Sequence, residues 1–116
     1  MPDNNIVNIA EETTEEIAEA TSRVLRLRTP VEFEGAEHAE IDLSGLDKLT
    51  GKDIRELDRL FKMKGGRIGG NVKEFDSLYL QLVAARATSL PLEFFDKISI
   101  KDATRLEVEI RNFLIL

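Results

Sequence analysis

The chain has 116 residues, 22 acidic and 16 basic side chains, one histidine, and neither cysteine nor tryptophan. This length fits one domain, and the lack of cysteine excludes disulfide bonds, thiolate nucleophiles and cysteine-ligated metal sites. No apolar run approaches the roughly 20 residues that a membrane-spanning helix needs, so we expect a soluble, intracellular protein without a membrane contact.

The net charge of −6 lies entirely at the start of the chain. Residues 1–22 hold six of the 22 acidic side chains and none of the 16 basic ones, so residues 23–116 are neutral overall. A helix over residues 11–20 would place carboxylates four positions apart, where they repel each other. We predict that residues 1–22 are disordered or weakly helical, with a docking helix as the alternative, and that residues 23–116 form a single folded domain. Nucleic-acid binding is not expected, because it normally needs a net basic surface.

Residues 23–43 alternate between apolar and polar side chains. The apolar ones occupy odd positions: Leu25, Leu27, Val31, Phe33, Ala39, Ile41 and Leu43. A period of two predicts a β-hairpin with one buried and one charged face, which turns near Gly35. Pro30 lacks an amide donor, so the first strand should be an edge strand or be broken there.

Stretches with helical periodicity follow the hairpin. Residues 50–53 have the form of a capping box and begin an apolar stripe that reaches Met63. Asn71 is placed to cap a second helix, with the stripe Val72, Phe75, Leu78, Tyr79, Leu82 and Val83. Pro91 opens a short helical turn, and residues 99–102 repeat the capping-box pattern before the last helix. The predicted fold class is mainly α (α+β), with an N-terminal β-hairpin packed on about three to four amphipathic helices.

Glycines are concentrated after the first helical stripe, at Gly65, Gly66, Gly69 and Gly70. Glycine at this density prevents a stable helix. A phosphate-binding loop connects a strand to a helix and carries a lysine directly before that helix, whereas this loop follows a helix. We therefore predict a flexible loop, with anion binding by Lys64 and Arg67 as the alternative.

The hairpin carries polar groups that are candidates for catalysis or metal binding. His38 and Glu40 share a strand face, but a zinc site needs three or four ligands. The strand carboxylates are Glu32, Glu34, Glu40 and Asp42. Without a tryptophan to bind sugar rings, they indicate a solvated face and not the acid–base pair of a glycosidase. We expect an exposed His38, no catalytic residue, no cofactor and no metal.

A small basic cluster lies at the start of the hairpin and consists of Arg23, Arg26 and Arg28. Arg26 and Arg28 share the predicted exposed face with the carboxylates of the opposite strand. We expect cross-strand charge pairing, with phosphate binding as the alternative.

Two groups of large apolar residues are candidates for partner binding. The first is the run Phe113, Leu114, Ile115 and Leu116, of which helical geometry can bury only a part in one core. Docking of this run on the protein's own hairpin is the alternative. The second is Phe94 and Phe95, which are adjacent in a helical turn, so we expect one to pack inward and the other onto a second surface.

Two longer stretches resemble a known family. The first is residues 30–57, with PVEFEG at 30–35 and TGKDIREL at 50–57. The second is residues 82–103, with LPLEFFDKI at 90–98 before the capped final helix. In order and spacing they resemble the tail assembly chaperones of long-tailed bacteriophages, a family that includes the E-type proteins of contractile tails. The resemblance covers residues 23 to about 113, and its motifs are structural.

The resemblance implies a non-enzymatic chaperone that binds the phage tape measure protein, keeps it soluble and helps recruit tail tube subunits. It also implies a homo-oligomer that acts in the host bacterial cytoplasm and is absent from the mature virion. A small acidic protein with apolar patches fits this role, because many weak contacts can cover the apolar stripe of a client helix. The alternatives are a structural tail completion or connector protein and, from a third class, a minimal enzyme or nucleotide binder that uses the glycine loop.

Overall fold

The computed structural model describes residues 23–67 and 73–116, so the predictions for residues 1–22 and for Asn71 and Val72 lie outside the described residues. The elements in chain order are β1 (Val24–Phe33), β2 (Ala36–Asp42), a first 3-10 helix (Ser44–Lys48), α1 (Gly51–Met63), a second 3-10 helix (Lys73–Phe75), α2 (Ser77–Thr88), α3 (Leu92–Phe95) and α4 (Ile100–Ile115). A hairpin followed by helices confirms the predicted α+β fold class.

The two strands form an antiparallel hairpin. Its turn lies at Glu34 and Gly35, whose φ angles are 51° and 78°. Two consecutive positive φ angles are typical of the type I′ turn, which matches the twist of a hairpin. The predicted turn near Gly35 is confirmed.

The pairing of β1 with β2 is interrupted around Pro30, as predicted. Arg26 lies opposite Glu40 and Val31 lies opposite His38, so β1 takes five steps where β2 takes two. The three extra residues of β1 form an irregular bulge. An odd number of extra residues reverses which side chains of the partner strand face the core.

This reversal corrects the prediction for one end of β2. His38 lies opposite the buried Val31, is half-buried, and packs its ring edge-to-face on Phe94 with the centroids 5.0 Å apart. Ala39 is exposed instead. The expectation of an exposed His38 and an inward-facing Ala39 is therefore wrong, because it assumed an unbroken register.

Helix α1 begins and ends as its sequence indicates. The Thr50 amide donates to Asp53 Oδ2 at 2.8 Å, and the reciprocal capping box is present. At the other end the Gly66 amide donates to the Phe61 carbonyl and the Gly65 amide to the Lys62 carbonyl. Gly65 has a φ of 96°. This pair of bonds around a left-handed residue is the Schellman motif.

Helix α2 is the central helix and begins later than predicted. Asp76 caps it by accepting a hydrogen bond from the Leu78 amide at 2.9 Å. Phe75 consequently lies in the second 3-10 helix, outside the helical period, and 63% of its surface is exposed. Its predicted place in the apolar stripe is wrong. The first 3-10 helix packs directly on the α2 backbone, because a Cβ at Gly45 would lie 2.0 Å from the Ala87 carbonyl oxygen.

The single turn α3 places both of its phenylalanines in the core. Phe94 contacts Phe33 of β1 and His38 of β2, and the Phe94 and Phe95 rings meet edge-to-face with centroids 5.2 Å apart. Both side chains are buried. The expectation that one of them faces a second surface is wrong, because α3 is covered by the hairpin on one side and by helices on the other.

Candidate partner-binding groove

Helices α1 and α2 run in opposite directions and form the walls of a groove. Asp53, near the start of α1, pairs with Arg86, near the end of α2. Phe61, near the end of α1, packs edge-to-face on Tyr79, near the start of α2, with ring centroids 5.5 Å apart. The residues between these contacts line the groove.

The groove is open and mainly apolar. It has a volume of about 290 Å³ and lies between α1, α2 and the segment that leads into α3. Its apolar lining consists of Leu57, Leu60, Leu82, Ala85, Leu90, Pro91 and Leu92. Lys64, Arg86 and Glu93 provide the charged rim. An apolar floor with a charged rim is the usual composition of a protein-binding surface.

A second depression continues this surface along α1. Leu60 and Arg86 line both depressions, and Met63 lies in the second, where 75% of its surface is exposed. Methionine adapts its shape to different partners, because its side chain is unbranched and polarizable. We refer to the two depressions together as the Leu60 groove.

Arg86 fixes the rim of the Leu60 groove. Its guanidinium donates to Asp53 Oδ1 at 2.7 and 3.0 Å and also contacts Glu56. Hydrogen bonds to Asp53 and then to Glu56 raise the pKa of Arg86 above its ordinary value. The Thr50 amide and then Arg86 lower the pKa of Asp53. Both groups therefore stay charged and hold the end of α2 on the start of α1.

A second ion pair holds the other end of the helix pair. Lys73 Nζ donates to both carboxylate oxygens of Asp58, at 2.8 and 3.0 Å, and lies 5.2 Å from the centroid of the Tyr79 ring. Burial raises the pKa of the Tyr79 phenol. Burial by itself would lower the pKa of Lys73, but the hydrogen bond to Asp58 raises this pKa above its ordinary value. These contacts attach the second 3-10 helix to α1.

Asp102 connects α4 to the bulge of β1, a role that the sequence did not reveal. Its carboxylate is fully buried and accepts hydrogen bonds from the amides of Arg28 at 3.0 Å and Thr29 at 3.1 Å. Arg105 donates to Asp102 Oδ1 at 3.0 Å and to the Arg26 carbonyl at 2.8 Å. The only available signal was Pro30, because a broken strand leaves amides that need another acceptor.

The contacts of Asp102 also correct the predicted capping box at residues 99–102. Ser99 Oγ accepts from the Asp102 amide at 3.2 Å, so the cap itself is confirmed. The Asp102 carboxylate accepts from the amides of β1 and not, as a capping box would require, from the Ser99 amide. Burial alone would raise the pKa of Asp102, yet the hydrogen bonds from the Arg28 and Thr29 amides bring it below its ordinary value.

The predicted partner-binding residues occupy different environments. Phe113 and Leu114 are half-buried against the core, whereas Ile115 is 51% exposed and Leu116 is 98% exposed. The Arg23 guanidinium lies 5.0 Å from the centroid of the Phe113 ring. Since Phe94 and Phe95 are in the core, the two groups do not form one surface.

The remaining candidates also have defined positions. Arg23 Nε lies 3.6 Å from Asp47 Oδ2, in the first 3-10 helix, and Arg26 lies opposite Glu40 in the strand register. Gly65 and Gly66 close α1, and Gly69 and Gly70 lie outside the described residues.

The Leu60 groove was missed because Leu60 reads as part of the buried α1 stripe. Leu57 and Phe61 in that stripe are buried, but Leu60 is exposed at the groove. The pattern of α1 does not reveal that α2 covers only one side of the stripe.

Two features are absent from residues 23–67 and 73–116. These residues contain no group of three or more histidine, aspartate or glutamate side chains that could hold a metal ion. Within the same part of the chain, no helix is both long enough and apolar enough to cross a membrane.

The comparison with protein families gave a match over most of the chain. The model described as phage tail assembly chaperone proteins, E, or 41 or 14, matches residues 24–115. Searches of curated proteins and of solved structures returned no match. The family match spans the hairpin, both walls of the Leu60 groove and α4.

Proposed function

This chain belongs to the phage tail assembly chaperone family, since the family model matches residues 24–115, and we propose that it binds the phage tape measure protein, keeps it soluble and helps recruit tail tube subunits. The observation that carries the proposal is the Leu60 groove. It exposes Leu60 and Met63 beside an apolar floor, without a covering element in the described chain.

The groove suits a helical client. An amphipathic helix binds by placing apolar side chains, three or four residues apart, into a groove between helices. The rim carries both signs of charge, from Lys64, Arg86 and Glu93, and can pair with the polar flanks of such a helix. The net charge of −6 opposes precipitation of a complex whose client is apolar.

The test is co-expression of the tagged chain with the tape measure protein of its phage. We expect Met63→Glu to reduce the tape measure protein recovered with the chaperone by about tenfold or more, because a carboxylate in an apolar contact costs at least about 1.4 kcal/mol. Phe75→Glu is the matched control, since Phe75 is similarly exposed but contacts Arg111 of α4 instead of the groove. Equal recovery by the wild-type chain and Met63→Glu would show that the groove does not bind the client.

We also propose that the chaperone is a homo-oligomer and that Ile115 and Leu116 contribute to the contact between copies. Both are exposed in the single chain. The double variant Ile115→Ser/Leu116→Ser should have a lower mass by sedimentation equilibrium and an unchanged helical circular dichroism signal. An unchanged mass would remove these residues from the interface.

A further inference from the structure

Another depression, separate from the Leu60 groove, lies where the bulge of β1 meets the start of α4. It shares no lining residue with that groove, has a volume of about 330 Å³, and is lined by Arg28, Ile100, Lys101, Thr104 and Arg105. Ile100 is 83% exposed there. The depression therefore combines an apolar centre with three cationic side chains.

The cations differ in how they are already used. Arg105 binds Asp102 and the Arg26 carbonyl, so part of its charge is compensated. Within the described part of the chain, residues 23–67 and 73–116, neither Arg28 nor Lys101 forms a salt bridge. Two cationic side chains beside an exposed isoleucine fit a peptide that carries carboxylates next to an aliphatic residue.

We propose that the acidic segment of residues 11–19 binds this depression in the same chain. The segment contains Glu11, Glu12, Glu15, Glu16 and Glu19 with Ile17 among them, and it has no basic residue. Ile17 packs on Ile100, while the flanking glutamates pair with Arg28 and Lys101. This inference is independent of the proposed client and of the Leu60 groove.

The connecting chain is long enough for this contact. From Arg23 to Arg28 the strand spans at most about 17 Å, at roughly 3.3 Å per residue. The seven steps back from Arg23 to Glu16 span up to about 24 Å when extended. Glu16 therefore reaches Arg28 without displacing β1. A short tether also makes the effective concentration of the segment millimolar, so weak ion pairs suffice.

The test uses the full chain with a nitroxide label on Thr13→Cys, which is the only cysteine in the variant because the natural chain has none. We expect the label to broaden the NMR amide signals of residues 100–105. The double variant Arg28→Glu/Lys101→Glu should abolish this broadening, as should 1 M salt, at which the Debye length is about 3 Å. Arg59→Glu/Lys62→Glu on α1 changes the charge equally and should leave the broadening intact.

Each other outcome overturns the proposal. Unbroadened signals at residues 100–105, or broadening that survives Arg28→Glu/Lys101→Glu, would mean that the segment does not bind there. A second sample separates a contact within one chain from a contact between two copies. It mixes chain that carries the nitroxide but no 15N with chain that carries 15N but no nitroxide. Broadening in that mixture would assign the contact to a second copy. Amide signals of α2 that match those of the wild-type chain establish that the double variant is folded.

Discussion

At residue scale, Asp102 stands out because it is the one buried charged residue within residues 23–67 and 73–116. Its side chain binds two amides that the bulge of β1 leaves without a strand partner. Amides that lose their strand partner need another acceptor, and an ionised one forms the stronger hydrogen bond. The bulge and α4 are therefore stabilised together.

Replacing Asp102 by asparagine should lower the free energy of unfolding by about 2 kcal/mol, because the asparagine NH₂ group cannot accept a hydrogen bond and leaves one strand amide unsatisfied. Urea unfolding followed by circular dichroism measures the change. Asp96→Asn is the control, since Asp96 is exposed, and it should stay within about 0.5 kcal/mol of wild type. Similar values for both variants would contradict the role assigned to Asp102.

The lowered pKa of Asp102 predicts how stability depends on pH. An unfolded aspartate titrates near its ordinary value of roughly 3.9, whereas folded Asp102 stays ionised to lower pH. Between these two values the unfolded state binds more protons, so the free energy of unfolding falls as the pH falls. We expect the free energy of unfolding, measured with urea, to fall less between pH 6 and pH 3 in Asp102→Asn than in wild type. Asp42 and Asp53 also have lowered pKa values, so the Asp102→Asn variant keeps part of the pH dependence of stability. An equal loss in both proteins would be inconsistent with an ionised Asp102.

At element scale, the features that depend on neighbouring residues were predictable and those that depend on register were not. The turn at Gly35, the break at Pro30 and the Thr50 cap each follow from a few adjacent residues. The inward-facing His38 depends on the number of residues in the bulge, which no local pattern specifies. The Leu60 groove likewise depends on how far α2 covers α1, which only packing determines.

The two ends of α1 give a matched pair of glycine substitutions. Gly65→Ala should destabilise the protein by about 1 kcal/mol, because Gly65 has a φ of 96° and alanine is strained in the left-handed region. Gly51→Ala should be neutral or stabilising by up to about 1 kcal/mol, since its Cβ would meet only the Arg55 side chain, at 3.9 Å. Thermal unfolding of the two variants measures both changes. A Gly65→Ala variant as stable as Gly51→Ala would show that the helix end tolerates another conformation.

At the scale of the whole molecule, the size of the Leu60 groove bears on how the protein acts. Each of its two depressions has a volume of about 290 Å³, just below the roughly 300–1,000 Å³ that is typical of ligand pockets. We therefore expect one copy to contact a short part of the proposed client helix and to bind it weakly. Many copies on one long client would reach a high combined affinity, and each could still be displaced separately.

Displacement gives the prediction that separates a chaperone from a structural tail protein. If tube subunits replace each weakly bound copy, purified phage particles should contain the tape measure and tube proteins but not this chain. Quantitative mass spectrometry of particles and of the infected-cell lysate measures both pools, and we expect the chain only in the lysate. A completion or connector protein would instead appear in particles at a fixed copy number. That result would leave the family membership intact and overturn the proposed chaperone role, because a permanent contact does not require a groove that releases its client.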